Sequence, residues 1–273
     1  MTFTETEARA AIVKAGRMMQ IREYVDGTAG NLSARLDPGH ILATPSGLVK
    51  GELTPEDLII MDMDGQLVSG RPGLRPTSEL AMHLEAYRRR PDVHAVVHAH
   101  PITAIALSIA GLTMEECVIP EAIVFLGLVP TTPYATPSSD ENRRAISDVI
   151  VNHDALILRF HGSLTVGRDV REAYLRLETL EHTAKIIAMT RLLGGGPPLP
   201  PDQVAKLLQT RQDWGLARPS DAEDFCVACG VCHPQGRHLP PASRPAWDDT
   251  AAHSEDQLVK QIAARVRAAL GEA

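Results

Sequence analysis

The chain of 273 residues holds four cysteines. Three of them crowd into Cys226–Cys232, which is unlike the spaced framework of a disulfide-stapled secreted domain. No apolar run approaches the roughly 20 residues that a membrane-spanning helix needs. No basic stripe is present either. Acids and bases are mixed along a chain of net charge −7, which argues against a nucleic-acid partner. The opening residues, Met1-Thr2-Phe3-Thr4-Glu5, are polar and acidic rather than the basic and apolar lead of a secretory signal. These absences leave a cytoplasmic enzyme as the expected class. At 44% hydrophobic residues, the chain can bury a substantial core.

What is present is organised around Pro76-Thr77-Ser78-Glu79 and Val97-His98-Ala99-His100-Pro101. Thr77 and Ser78 are helix-capping residues, Leu80, Leu84 and Tyr87 follow at helical spacing, and Arg88-Arg89-Arg90 before Pro91 close the helix. Glu79 therefore falls in the first turn. There it either complements the helix dipole or does chemistry. Ala95 to His100 reads as a short buried strand ended by Pro101. Side chains two apart share a face, so His98 and His100 emerge about 7 Å apart at the backbone and can converge on one divalent ion. Buried histidines can equally be core residues satisfied by hydrogen bonds. His94 lies about 13 Å back along the same face and is too far to share that ion.

Around this pair the pattern predicts a helix over 5–24, strands at 32–36, 41–44, 58–62 and 67–69, and a helix over 102–110. A strand at 123–128, a helix over 140–152, a hairpin over 155–167 and a helix over 169–193 follow. Gly194 to Pro201 reads as a linker. Beyond it come a helix over 202–214, the cysteine cluster, and an amphipathic helix over 254–270. The domain reading is a catalytic unit at 1–195 and an extension at 196–273.

Gly30-Asn31-Leu32-Ser33, Thr44-Pro45-Ser46-Gly47, Pro76-Thr77-Ser78-Glu79, His98-Ala99-His100 and Phe160-His161-Gly162 occur in this order. With them the chain resembles the class II aldolase/adducin family over about residues 5–195. The resemblance implies a three-layer α/β/α fold with a mainly antiparallel central sheet, assembled as a homotetramer with active sites near subunit interfaces. It implies that His161 completes a three-histidine zinc site with His98 and His100, and manganese or cobalt are the other divalent candidates. It assigns phosphate binding to Asn31, Ser46, Gly47, Thr77 and Ser78, and proton transfer to Glu79. The implied reaction is cleavage of a ketose 1-phosphate, a small phosphorylated sugar, to dihydroxyacetone phosphate and an aldehyde through an enediolate. Decarboxylases, epimerases and dehydratases of phosphorylated substrates share the metal core. The family's fuculose-phosphate enzyme draws a tyrosine proton donor from the segment after the histidine pair. Residues 112–121 contain none here. Glu121 is a substitute candidate, and Tyr134 is expected to pack in a loop.

The cysteine motif is not part of the family pattern. Cys226, Cys229 and Cys232 with His233 or His238 have the spacing of a structural zinc knot. The same cysteines with a fourth ligand suit an iron–sulfur cluster. Free or redox-paired thiols are the third reading.

Overall fold

A computed structural model of the chain describes residues 4–232. Eight strands form one sheet: β1 Asn31–Asp37, β2 His40–Ala43, β3 Ile59–Asp62, β4 Leu67–Ser69, β5 Ala95–Ala99, β6 Thr131–Thr132, β7 Ala155–Leu158 and β8 Gly162–Gly167. Their spatial order is β4-β3-β2-β1-β5-β8-β7-β6, and every pair is antiparallel except β6 with β7. The helices are α1 Glu5–Ile21, α2 Leu80–Arg89, α3 Ile102–Ile109, α4 Asp140–Ser147, α5 Val170–Leu192, α6 Pro201–Asp213 and α7 Asp221–Cys229.

Strand alternation sorts the helices into two layers. Ala95, Val97 and Ala99 of β5 face a core shared with Ile12 and Met19 of α1 and with Ala173 and Leu177 of α5. Val96 faces the other way, toward Leu84 and Tyr87 of α2 and Ile146 of α4. This is the expected three-layer arrangement. β5 is fully buried because both its faces are covered, which is why it reads as an unbroken apolar run. By the same alternation His98 projects toward the α2 layer.

Two expected elements differ. Residues 122–126 form a π-helical turn rather than a strand, closed by the bond from Gly127 N–H to the Ala122 carbonyl (3.0 Å). A short continuous apolar run does not distinguish the two by periodicity. Here Ile123 packs with Val204 and Phe225, from α6 and α7, while Ala122 and Leu126 face α3 and α5. Side chains buried in several directions suit a turn of helix. The helix expected over 140–152 stops at Ser147 and continues as turns. The amphipathic segment at 254–270 lies outside the described residues.

Candidate active site

Strand register assembles the site. β5 lies between β1 and β8, so His98 stands opposite Asn31 on one side and Leu164 on the other. His100 follows directly after β5. His161 sits in the tight turn between β7 and β8, where its N–H bonds the Leu158 carbonyl at 3.0 Å and Phe160 takes a left-handed φ of 58°. Gly162 is required beside it. A Cβ there would stand 2.4 Å from the Ala99 carbonyl oxygen and 3.1 Å from Cε1 of His98.

The three imidazoles converge, with ring centroids 4.8–5.1 Å apart and one ligand nitrogen of each within 4.8 Å of the others. His98 Nδ1 donates to the Ser163 carbonyl at 2.9 Å, which leaves Nε2 with its lone pair turned to the centre. His98 Nε2 and His100 Nε2 are 3.1 Å apart. Two nitrogens about 2.0–2.1 Å from one tetrahedral ion stand about 3.3 Å apart, so the donor set fits a divalent cation. Burial pushes His100 and His161 down to about 4, so both offer neutral nitrogen at neutral pH.

Glu79 occupies the cap position of α2 rather than its first turn, and its side chain makes no capping bond. The carboxylate turns instead to the histidines, with Oε2 3.1 Å from His98 Nε2 and Oε1 3.3 Å from His161 Nε2. Buried Oε1 has no hydrogen-bond partner, as expected of an atom that serves something absent from the chain itself. Burial raises the Glu79 carboxyl. The imidazoles of His98 and His161 and the Asn31 amide outweigh it and hold the group well below the carboxylate range.

Asn31 is buried, and its Nδ2 donates to Glu79 Oε2 (3.0 Å) and Thr77 Oγ1 (3.2 Å). Thr77 is half-buried, whereas Ser46, Gly47 and Ser78 are exposed. An isolated bridge between Pro45 and Pro76 brings the Ser46-Gly47 turn beside Thr77-Ser78. Ser138 Oγ bonds Ser78 Oγ at 2.7 Å. Lys50 is buried, and its Nζ donates to the Thr28 (2.8 Å) and Leu48 (2.7 Å) carbonyls. Burial lowers it to about 8. Nothing in its local pattern marks it out. Glu121 is exposed at the start of the π-helical turn. Tyr134 packs edge-on against Phe160, the neighbour of His161, with centroids 6.3 Å apart.

Sequence reading also missed a buried chain of side chains behind Glu79. Because Asn31 Nδ2 donates to the carboxylate, Oδ1 faces His83, whose Nε2 lies 2.5 Å away and must donate. His83 Nδ1 then accepts from Ser33 Oγ (2.7 Å), and Ser33 accepts from the Tyr87 hydroxyl (2.8 Å). A single ionised acceptor at one end thus sets the direction of every bond. Only the i, i+4 spacing of His83 and Tyr87 and the strand position of Ser33 could have hinted at it.

Burial pushes His83 down to about 3. The folded chain keeps this imidazole neutral, while the unfolded chain takes up a proton below about pH 6.5. Stability therefore falls as pH drops from about 6.5 toward 3, by roughly 1.4 kcal/mol per pH unit from this group. Urea midpoints of the parent chain and His83→Gln, taken from pH 7 to 4.5, should converge as the solution is acidified. A constant gap would mean that His83 is not held neutral.

The two metal-binding expectations for the cysteines require correction, while the redox-paired reading agrees with the structure. The thiols are paired as Cys117–Cys229 and Cys226–Cys232. Sulfurs bonded to one another carry no thiolate charge, so this arrangement holds neither an iron–sulfur cluster nor the Cys₃His knot. His233 and His238 lie outside the described residues.

The profile described as Class II Aldolase and Adducin N-terminal domain matches residues 10–188. A 3-oxo-tetronate 4-phosphate decarboxylase of Pectobacterium atrosepticum is 36% identical over 188 residues, covering 67% of this chain and 85% of that one. An L-fuculose phosphate aldolase of Methanococcus vannielii is 37% identical over 174 residues, covering 64% and 92%. Among solved structures, L-fuculose-1-phosphate aldolase of Thermus thermophilus superposes with TM-score 0.63 at 34% identity, covering 71% of this chain and 100% of that one. YgbL of Klebsiella pneumoniae does so with TM-score 0.68 at 33% identity, covering 75% and 99%. The chain belongs to the class II aldolase and adducin family.

Proposed function

We propose that the chain is a zinc-dependent aldolase that cleaves a small ketose 1-phosphate to dihydroxyacetone phosphate and an aldehyde. The observation that carries this reading is the Glu79 carboxylate set against three converging imidazoles, with Oε1 free of any hydrogen bond. A divalent cation held by His98, His100 and His161, zinc or else manganese or cobalt, would supply Lewis-acid polarisation of the substrate carbonyl and neighbouring hydroxyl. Glu79 moves the proton at the substrate carbon that carries negative charge once the C3–C4 bond has broken. The Asn31 amide, by donating to Oε2, fixes the orientation of the carboxylate against the imidazoles. The Ser46-Gly47 and Thr77-Ser78 turns take the phosphate through amides and hydroxyls, together with Asn31. The catalytic unit spans 1–195 and 196–273 extend it. Assembly as a homotetramer with interface active sites, in the cytoplasm, belongs to the same proposal.

One observation favours a second reading, a decarboxylase of a phosphorylated keto acid. Residues 112–121 contain no tyrosine, and a leaving carbon dioxide needs no proton donor. Incubation of the zinc-loaded chain with ribulose, fuculose and deoxypentulose 1-phosphates should release dihydroxyacetone phosphate. Carbon dioxide release from 3-oxo-tetronate 4-phosphate, without dihydroxyacetone phosphate from that panel, would replace the first reading with the second.

A further inference from the structure

The four cysteines of the chain form two disulfides, and one partner of each lies on α7. Cys226 and Cys229 are three apart on α7 and so leave the same side of the helix. α7 ends on Gly230 in the left-handed region (φ 71°, ψ 16°), with Gly230 N–H bonded to the Cys226 carbonyl at 3.1 Å. That turn folds the chain back so that Cys232 Sγ lies 3.8 Å from the Cys226 carbonyl oxygen. The fourth cysteine, Cys117, comes from 112 residues before Cys229. It is buried against Ile123, Val204 and Phe225, and its carbonyl accepts from Leu199 N–H at 2.8 Å.

Cross-linking alone does not account for four sulfurs here. The Cys117–Cys229 pair already ties α7 to the sheet domain. The Cys226–Cys232 pair, 6 residues apart, only joins the last turn of α7 to itself, where the Gly230 bond has closed the chain. One partner of each pair stands on the same side of α7, Cys226 and Cys229, so the two pairs are neighbours and supply four sulfur donors to one region. Structural zinc takes this donor set.

We propose that Cys117, Cys226, Cys229 and Cys232 form a redox-convertible zinc site. Oxidised, it is the pair of disulfides in the structure. Reduced, it binds one zinc ion through four thiolates and keeps α6 and α7 docked. Each disulfide takes two electrons and two protons from a dithiol, which leaves as its own disulfide. The four thiols then release four protons as four zinc–sulfur bonds form. Zinc about 2.3 Å from each sulfur keeps the sulfurs about 3.8 Å apart. Cα separations are 6.1 and 4.4 Å within the two pairs, and Cys226 and Cys229 link the pairs at i, i+3 on α7. The fourth ligand is thus Cys117 and not a histidine after the motif.

The test is elemental analysis of the full chain reduced with a phosphine, which brings no competing thiol, and then incubated with zinc and desalted. His98→Ala, which disables the histidine centre, should retain one zinc per chain. His98→Ala combined with Cys117→Ser should retain none, and Cys232→Ser in place of Cys117→Ser should do the same if the first pair folds poorly. Cobalt in place of zinc should give thiolate-to-cobalt charge-transfer absorption in His98→Ala, lost with either serine. Peroxide should release the metal while titratable thiols fall from four to none. Equal zinc in His98→Ala with and without the serines would overturn the proposal, as would stoichiometric iron with acid-labile sulfide. No readout depends on turnover, so failure here is separable from failure of the aldolase reading.

Discussion

Replacing Glu79 with glutamine is expected to lower turnover by about 10²- to 10⁴-fold, the usual loss when a positioned acid–base group is removed. KM and zinc content should stay close to those of the parent. Glutamine has the same shape and keeps an oxygen for the Asn31 amide, so the hydrogen-bonded chain back to Tyr87 has no reason to break. It cannot take up and return a proton near neutral pH. Had Glu79 served only the α2 dipole, the substitution would touch stability and leave turnover alone. The lack of any capping bond from its side chain argues against that role. Measuring kcat, KM, zinc and the melting temperature together separates the cases. Unchanged kcat would remove Glu79 from the chemistry, and a loss explained wholly by missing zinc would make it a structural partner of the histidines.

The histidine pair was legible because strand periodicity is a local property. His98 and His100 need only an alternating backbone to come together. His161 was legible only by family resemblance. It lies about sixty residues further on, and β5–β8 pairing rather than any local pattern brings it into place. The same limit hid the support of Glu79. Ser33, His83 and Tyr87 are ordinary residues one at a time. They become a chain only because β1 packs under α2 and because burial forbids each polar atom from staying unpaired. Asn31 shows both sides of this. Its place near the site was expected, yet its amide faces the carboxylate and Thr77 in the structure.

For the fold, β1 to β5 and the β7–β8 hairpin could be read because turns and alternation punctuate them. The 122–126 segment could not, since its neighbours α6 and α7 lie some eighty or more residues away in the chain. The partner of Cys229 was out of reach for a related reason. Spacing draws attention to Cys226, Cys229 and Cys232, while the isolated Cys117 gives no sign that it joins them.

The largest expected loss of stability comes from Asp154, just before β7, which is 1% exposed and gathers three guanidinium groups. Arg90 reaches it at 2.9 Å from the end of α2, Arg176 at 3.1 Å from α5, and Arg218 at 2.7 Å from the segment between α6 and α7. Burial raises the Asp154 carboxyl, but Arg176, Arg218 and Arg90 overcome this and lower it. Arg90 and Arg218 keep Asp92 as a second partner, and Arg176 keeps Glu172 at 3.4 Å. Asp154→Asn would still leave buried positive charge without its central anion, which costs about 3–5 kcal/mol when one partner of a buried ion pair is removed. For a domain of this size that corresponds to about 6–20 °C in melting temperature. Because the folded carboxyl is depressed, its contribution is fully present above about pH 4 and fades as pH falls further. The gap between parent and variant should therefore hold from pH 8 to 5 and close in stronger acid. A melting temperature within about 2 °C of the parent would show that the remaining carboxylates suffice and that Asp154 does not clamp the helices to the sheet.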